Sequence, residues 1–157
     1  MALGAGIVSG AALAWALSAL IGARSGVEQT TERLGPTPVS VFRPASTSQP
    51  EADRPVVVIA HGFAGSQQLM RSHALTLARN GYLVVSFDFL GHGRNRQPLQ
   101  GDITEIEGAT RHLVKQTRQV IDHALSKPDA GGGLALLGHS MASDILVRTA
   151  RSDPRVD

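Results

Sequence analysis

The 157-residue sequence contains no cysteine, and this absence removes several kinds of chemistry at once. Without thiols the chain can form no disulfide bond, no thiolate-bound metal site and no cysteine nucleophile. Aromatic residues make up only 4% of the chain, and its arginines are scattered from Arg24 to Arg155 without a run of like charge. A nucleic-acid groove needs a basic stripe with interleaved aromatics, so we expect no nucleic-acid partner. Spacings typical of a metal site, such as His-x-x-x-His or paired carboxylates, are also missing, so we expect no metal.

Charged side chains are missing from residues 2–22 as well. A helix of this length, at ~1.5 Å per residue, matches the ~30 Å hydrocarbon core of a bilayer. We therefore predict a single transmembrane anchor over residues 2–22 and a membrane location for the protein. A cleaved signal peptide, with the mature chain starting near Ala19 or Gly26, and a buried core helix are the alternatives. Arg24 and Arg33 follow the span and mildly favour a cytoplasmic location for the rest of the chain, but they leave the side undecided.

The hydrophobic pattern divides the rest of the chain into two parts. Residues 23–54 are polar and punctuated by prolines, and we predict a linker there with one early strand in the run TPVSVF, between Pro36 and Pro44. Residues 55–157 alternate short apolar runs with segments of helical periodicity, which predicts a single α/β domain with a parallel sheet. The apolar runs predict buried strands at residues 55–60, 82–89 and 134–137. The periodic segments predict helices at residues 67–79, 105–125 and 140–151.

The run LALLGHSMAS, residues 134–143, places Ser140 between a predicted strand and a predicted helix. A serine hydroxyl is a poor nucleophile unless it is exposed, aligned with a base and faced by donors that stabilise an oxyanion. A tight strand-to-helix turn exposes the hydroxyl but crowds the backbone, so it needs small residues two positions to either side. Gly138 and Ala142 meet that need. The pattern Gly-x-Ser-x-Ala alone is short enough to arise by chance.

Two further turns follow the predicted buried strands at residues 55–60 and 82–89. They are HGFAGS at residues 61–66 and DFLGHGRN at residues 88–95. With GHSMA, these motifs resemble the α/β-hydrolase superfamily in their order, their spacing and their position at strand ends. The resemblance covers about residues 35–157. It departs at Leu90 and Asn95, where Arg and Ser are common, and this leaves the subfamily open. It implies an incomplete parallel-sheet α/β-hydrolase fold and a serine hydrolase that cleaves an ester, thioester or amide through an acyl-enzyme, without a cofactor.

The resemblance also implies roles for individual residues. Ser140 would be the nucleophile, and the backbone N–H groups of Phe63 and Met141 would form the oxyanion hole. The turn around the nucleophile would be supported by its small and neighbouring residues, Gly138, His139 and Ala142. We expect the His139 side chain to point into the fold.

No other histidine or acid is a strong candidate for the catalytic base or acid. We expect His61 to brace its own loop, His92 to be structural, and Asp88 to orient a loop. Asp144 lies one helical turn after Ser140 and should point away from its hydroxyl. The other histidines fall on predicted helices and should be solvated or packed, namely His73, His112 and His123.

In the family, the acid and the base follow the nucleophile along the chain, and only 17 residues follow Ser140. We therefore interpret the chain as the N-terminal part of a larger hydrolase that is inactive without the remainder. A non-catalytic binding protein with the same fold and an acyltransferase are the alternatives, since an acyltransferase shares the triad and differs only in the acceptor.

Overall fold

The structure is a computed structural model that describes residues 2–22, 24–45, 53–101 and 108–157. Its strands are β1 (Val27–Leu34), β2 (Thr37–Pro44), β3 (Arg54–Ala60), β4 (Leu83–Phe87) and β5 (Ala130–Gly138). They form one sheet in the order β1-β2-β4-β3-β5. The strands β4, β3 and β5 are parallel, whereas the hairpin β1–β2 joins the sheet antiparallel to β4. The parallel part is the predicted α/β architecture, and the hairpin makes the sheet mixed.

The helices are α1 (Ala2–Gly22), α2 (Arg71–Arg79), α3 (Gly108–Leu125) and α4 (Met141–Ala150), and a 3-10 turn (Gln67–Met70) leads into α2. Successive residues of β3 face opposite layers of the core. Val56 and Val58 pack in the cluster that α3 and α4 complete, and Val57 and Ile59 pack in the cluster that α2 completes. Both faces of this strand are therefore buried, which explains why its sequence is continuously apolar instead of alternating.

The predicted elements of the domain are confirmed with shifted ends. Strands β3 and β4 lie within two residues of the predicted limits, and α4 within one. Strand β5 begins at Ala130, which pairs with Arg54, and the three glycines predicted as a loop form an irregularity before the next pair, Val56 with Leu134. The predicted start of the third helix segment, at Glu105, lies outside the described residues.

Strand β1 was missed by the sequence analysis, which placed a linker around it. Its sequence VEQTTERL carries three charged residues and no apolar run, and only Val27 and Leu34, at its ends, are apolar. Half of its residues are exposed, because β1 is the outermost strand on its side of the sheet and covers little of the core. A strand of this kind leaves almost no hydrophobic signal in the sequence.

Helix α1 covers residues 2–22, as predicted, but the structure supports neither a buried core helix nor a transmembrane span there. Residues 10–19 are all exposed, with Leu13 at 74% and Trp15 at 75%, so the alternative of a buried core helix is wrong for this part. No helix in the described part of the chain is both long and apolar enough to cross a membrane, so the predicted transmembrane span is not supported. The membrane location stays a prediction.

Candidate active site

Ser140 occupies a strained turn between β5 and α4. Its φ of 57° and ψ of −122° place it in a region that side-chain-bearing residues rarely adopt. Such a conformation costs about 1–3 kcal/mol and persists only where the surrounding structure enforces it. Here the next turn does so, because the Ser143 N–H donates to Ser140 O at 2.8 Å and the Ala142 N–H donates to His139 O at 3.2 Å. The result is an exposed serine side chain at the carboxyl end of β5.

The small residues on either side of Ser140 are required by the packing of α4 on β5. A Cβ atom added to Gly138 would lie 2.7 Å from Leu146 Cδ1 and 3.0 Å from the carbonyl carbon of Ala142. Ala142 itself is fully buried, in the same core cluster as Leu146. The turn therefore has room for one methyl group at position 142 and for none at position 138.

The loop after β3 packs directly against this turn. A Cβ atom at Gly62 would lie 3.1 Å from each of His139 Nδ1, His139 O and Ser140 Cβ, so the two backbones are in close contact. The Gly65 N–H donates to Gly62 O at 3.1 Å and closes the loop, within which Ala64 has a φ of 53°. Phe63 is thereby held one residue away from the contact with Ser140.

Two backbone N–H groups next to Ser140 have no acceptor within the described part of the chain. They belong to Phe63, in the loop after β3, and to Met141, the first residue of α4. The N-terminus of a helix also carries a partial positive charge, which favours a negative charge placed beside it. Free donors at such a position can stabilise an oxyanion that forms on a group attached to Ser140.

His61 braces the loop, as expected, and both of its ring nitrogens are engaged. Nδ1 donates to Gly62 O at 2.8 Å, and Nε2 accepts the Phe89 N–H at 3.1 Å. Because the ring is completely buried, desolvation lowers the pKa of His61 below its usual range of about 6.5. Because Nε2 accepts an N–H and Nδ1 donates to a carbonyl, the ring has no free nitrogen with which to take a proton from Ser140.

Asp88 joins the loop after β3 to the loop after β4. Its buried carboxylate accepts the Gln67 N–H at 2.7 Å and the Arg94 N–H at 2.9 Å. The Gln67 side chain completes the link, because its Nε2 donates to Asp88 at 3.3 Å while its Oε1 accepts the Ser86 hydroxyl at 3.3 Å. The expected role of Asp88 in orienting a loop is confirmed. The role of Gln67 was missed, and no feature of the sequence around it indicates the contact.

The expectation for His139 was wrong, because its side chain is exposed. Strand β5 is the outermost strand of the sheet as the described residues form it, and none of those residues adds a strand that covers the turn on that side. Asp144 forms an ion pair with Arg148 at 2.9 Å and does not approach the Ser140 hydroxyl. Among the described residues, no histidine or carboxylate forms a hydrogen bond with Ser140.

The remaining histidines of the described chain form no hydrogen bond with Ser140. His92 is buried in the loop after β4, His73 is exposed on α2, and His112 is half-buried near the start of α3. His123, near the end of α3, contacts Glu32 of β1 at 2.9 Å. The structure thus places Ser140 close to the free N–H groups of Phe63 and Met141, and within the described ranges it brings no histidine or carboxylate into hydrogen-bond contact with the hydroxyl.

Comparison with solved structures places this fold among hydrolases. A thioesterase domain from the curacin biosynthetic pathway is 27% identical, with a TM-score of 0.57 over 82% of this chain and 43% of that chain. An epoxide hydrolase from Vigna radiata is 22% identical, with a TM-score of 0.58 over 83% of this chain and 36% of that chain. An acetyl xylan esterase from Paenibacillus sp. R4 is 16% identical, with a TM-score of 0.61 over 83% of this chain and 51% of that chain. The chain therefore spans about half or less of the length of each of these structures.

Comparison at the level of sequence identifies the family. No curated protein sequence matches the chain. The family model described as serine aminopeptidase, S33, matches residues 51–157, which include all three turns at the carboxyl ends of β3, β4 and β5. Because this match covers more than half of the chain, the protein belongs to the serine aminopeptidase S33 family of α/β-hydrolases.

Proposed function

We propose that this chain carries the nucleophile and the oxyanion hole of a serine hydrolase that cleaves an ester, thioester or amide bond. The observation that carries the proposal is the strained, exposed Ser140 beside the two free N–H groups of Phe63 and Met141. A conformation with positive φ at a serine destabilises the fold, and local function is a recognised reason for keeping such strain.

The reaction would proceed in two balanced steps. Ser140 Oγ bonds to the carbonyl carbon while its proton passes to a base, and the carbonyl oxygen becomes an oxyanion that accepts both N–H groups. The bond to the leaving alcohol, thiol or amine then breaks, and that group takes the proton. Water then attacks the carbonyl carbon of the acyl-enzyme in the same way. The bond to Ser140 Oγ breaks, the carboxylic acid is released, and the serine hydroxyl regains its proton. An acyltransferase would use another acceptor in place of water.

We assign neither the base nor the acid to a residue that the structure describes. His61 has no free nitrogen, and no histidine follows Ser140 in the sequence. The family resemblance implies an Asp or Glu and then a histidine, both later in the chain than the nucleophile.

The proposal is tested by labelling the native protein with a fluorophosphonate and mapping the modified peptide by mass spectrometry. We expect one adduct, on Ser140, that is lost in Ser140→Ala. Ser143→Ala is the matched control, since Ser143 is an exposed serine within the regular part of α4. Labelling that persists in Ser140→Ala would overturn the assignment, and a native protein that is not labelled would favour a non-catalytic binding role.

A second experiment tests where the base lies. Residues 1–157 alone should show negligible turnover of p-nitrophenyl acetate, because an oxyanion hole without its triad partners leaves only a residual rate. Robust turnover that depends on Ser140 would show that the base is within this chain.

A further inference from the structure

Phe63 differs from the other phenylalanines of the chain in its exposure. The sequence has four phenylalanines, and the other three are at most 2% exposed in the core. The Phe63 side chain is 71% exposed. Single exposed apolar residues are common and need no explanation by themselves, so the argument depends on how this ring is held and where it lies.

The Phe63 ring is held from one side by His92. The two ring centroids are 5.6 Å apart with an interplanar angle of 77°, which is the edge-to-face arrangement that aromatic pairs prefer. His92 is itself fixed, because it is only 8% exposed and its Nδ1 donates to Leu90 O at 2.8 Å. The ring of His61 lies 5.5 Å from that of His92 on the inner side. One side of the Phe63 ring thus rests on an anchored imidazole, and the rest of the ring is open.

Phe63 belongs to the loop that contacts the turn of the nucleophile. Phe63 follows Gly62, where an added Cβ atom would lie 3.1 Å from Ser140 Cβ, and it also carries one of the two free N–H groups. A substrate whose carbonyl oxygen accepts that N–H is therefore bound to the same residue that carries the ring. Leu69, 70% exposed, adds a second apolar side chain next to the loop, with its Cδ1 3.3 Å from a Cβ position at Gly65.

We propose that the Phe63 ring is the wall of an apolar subsite that receives a hydrocarbon chain of the substrate. The inference rests on the proposed function of Ser140, and it narrows the substrate to esters or thioesters that carry such a chain. The chain could belong to the acyl group or to the alcohol, since both are bonded to the carbonyl carbon held at the Phe63 N–H. Their shared chemistry, an uncharged alkyl group, is what the ring recognises.

The test measures how fast Ser140 of the native protein is labelled by p-nitrophenyl phosphonates of different chain length. In this reaction Oγ bonds to phosphorus, p-nitrophenolate leaves, and the serine proton passes to the base. One pair of probes carries octyl or methyl on phosphorus and imitates the acyl group. The other pair carries octyloxy or methoxy and imitates the alcohol.

In one of the two pairs, we expect the eight-carbon probe to label Ser140 faster than the one-carbon probe. We expect Phe63→Ala to reduce this rate ratio about tenfold, as the loss of roughly 50–60 Å² of buried apolar surface implies. The pair that shows the effect identifies the acyl or the alcohol side. Phe63→Leu should keep part of the preference. Val147→Ala, which removes an exposed apolar side chain on α4, should keep all of it.

The outcomes separate this inference from the proposed function. Labelling at Ser140 with a chain-length preference that Phe63→Ala leaves unchanged overturns the subsite alone. An equal loss of rate for the methyl and octyl probes also overturns it, because Phe63 would then only support the loop. If no probe labels Ser140 in the wild-type protein, the proposed function fails and the subsite fails with it.

Discussion

The two edges of the sheet differ in composition. The outer strand β1 carries two glutamates and an arginine. One of them, Glu32, accepts hydrogen bonds from His123 of the adjacent helix α3 and from Lys127, two residues after that helix. The outer strand β5, with the sequence AGGGLALLG, has no charged residue. Charged side chains on an edge strand oppose pairing with another chain. Strand β1 thus has the composition of an edge strand, whereas β5 has the composition of an interior strand in an edge position.

The backbone of β5 is also only partly satisfied on its outer side. The N–H and C=O of Leu134 are bonded by the side chain and the backbone N–H of Asp157, at 3.1 and 3.0 Å. Because these groups alternate in direction along a strand, those of Leu136 point to the same outer side. Among the described residues nothing pairs with them. The outer side of β5 next to the Ser140 turn is therefore open to another strand.

The largest expected effect concerns this open edge. We expect residues 25–157 to self-associate through β5, and Ala135→Lys to raise the monomeric fraction severalfold in size-exclusion chromatography, because a charge on an edge strand opposes pairing. Ala135 is exposed, so the substitution removes no core contact.

Thr31→Lys is the matched control, since it adds the same charge at an exposed position of β1. It should leave the monomeric fraction unchanged. If the wild-type fragment were a monodisperse monomer with a sharp thermal transition, the uncharged edge strand β5 would not cause self-association. The two edges of the sheet would then not differ in this respect.

The second effect concerns packing at the end of β5. We expect Gly138→Ala to lower the free energy of unfolding by about 2 kcal/mol, because its Cβ would lie 2.7 Å from Leu146 Cδ1 and the helix would have to shift. Denaturant titration measures the loss. Thr31→Ala on β1 should change the free energy by less than about 0.5 kcal/mol, as surface substitutions usually do. If Gly138→Ala lowered the free energy of unfolding no more than Thr31→Ala does, helix α4 would be able to move away from the added methyl group at little cost.

The smallest effect concerns the charges at β1. The pKa of Glu32 is lowered below 4.5, mainly because Lys127 donates a hydrogen bond to its carboxylate. Partial burial opposes this shift, whereas the charge of Lys127 and the contact with His123 add to it. The stabilisation is therefore present above pH 4.5 and is lost as the pH falls from there through the lowered pKa of the folded state. We expect Glu32→Gln to cost at most about 1 kcal/mol at pH 7, since the pair is partly exposed.

The same denaturant titration at pH 7 and at pH 3 checks the sign. The difference between Glu32→Gln and the wild type should shrink at the lower pH. Glu28→Gln, at an exposed position of the same strand, is the control and should match the wild type at both values. A difference that grows as the pH falls would contradict the assignment of the effect to an ionised Glu32.

The contrast between the edges also explains what the sequence could predict. Strands β3 and β4 were predicted because both of their faces are buried, so nearly every residue in them is apolar. The turn around Ser140 was predicted because its geometry restricts Gly138 and Ala142 to small residues. Strand β1 could not be predicted in this way, because it buries little and shows neither an apolar run nor a strict alternation.

Other features depend on elements that meet only in the folded chain. The contacts of Gln67 involve Asp88 and Ser86, about twenty positions away, and nothing in the local sequence indicates them. The exposure of His139 follows from its place beside the last strand, and the sequence pattern around it is the same whether or not a further strand covers it. Motifs therefore predicted the local geometry of the site but not its surroundings.

The contact between Gly62 and the Ser140 turn has a mechanical consequence. The atoms that meet there, at 3.1 Å from a Cβ position, touch through van der Waals surfaces and not through ions. Contacts of this kind are stiff and short-ranged, so we expect the spacing of the two turns to change little with salt concentration. A displacement of either turn is transmitted to the other, and the Phe63 and Met141 N–H groups keep their separation as the two turns move together.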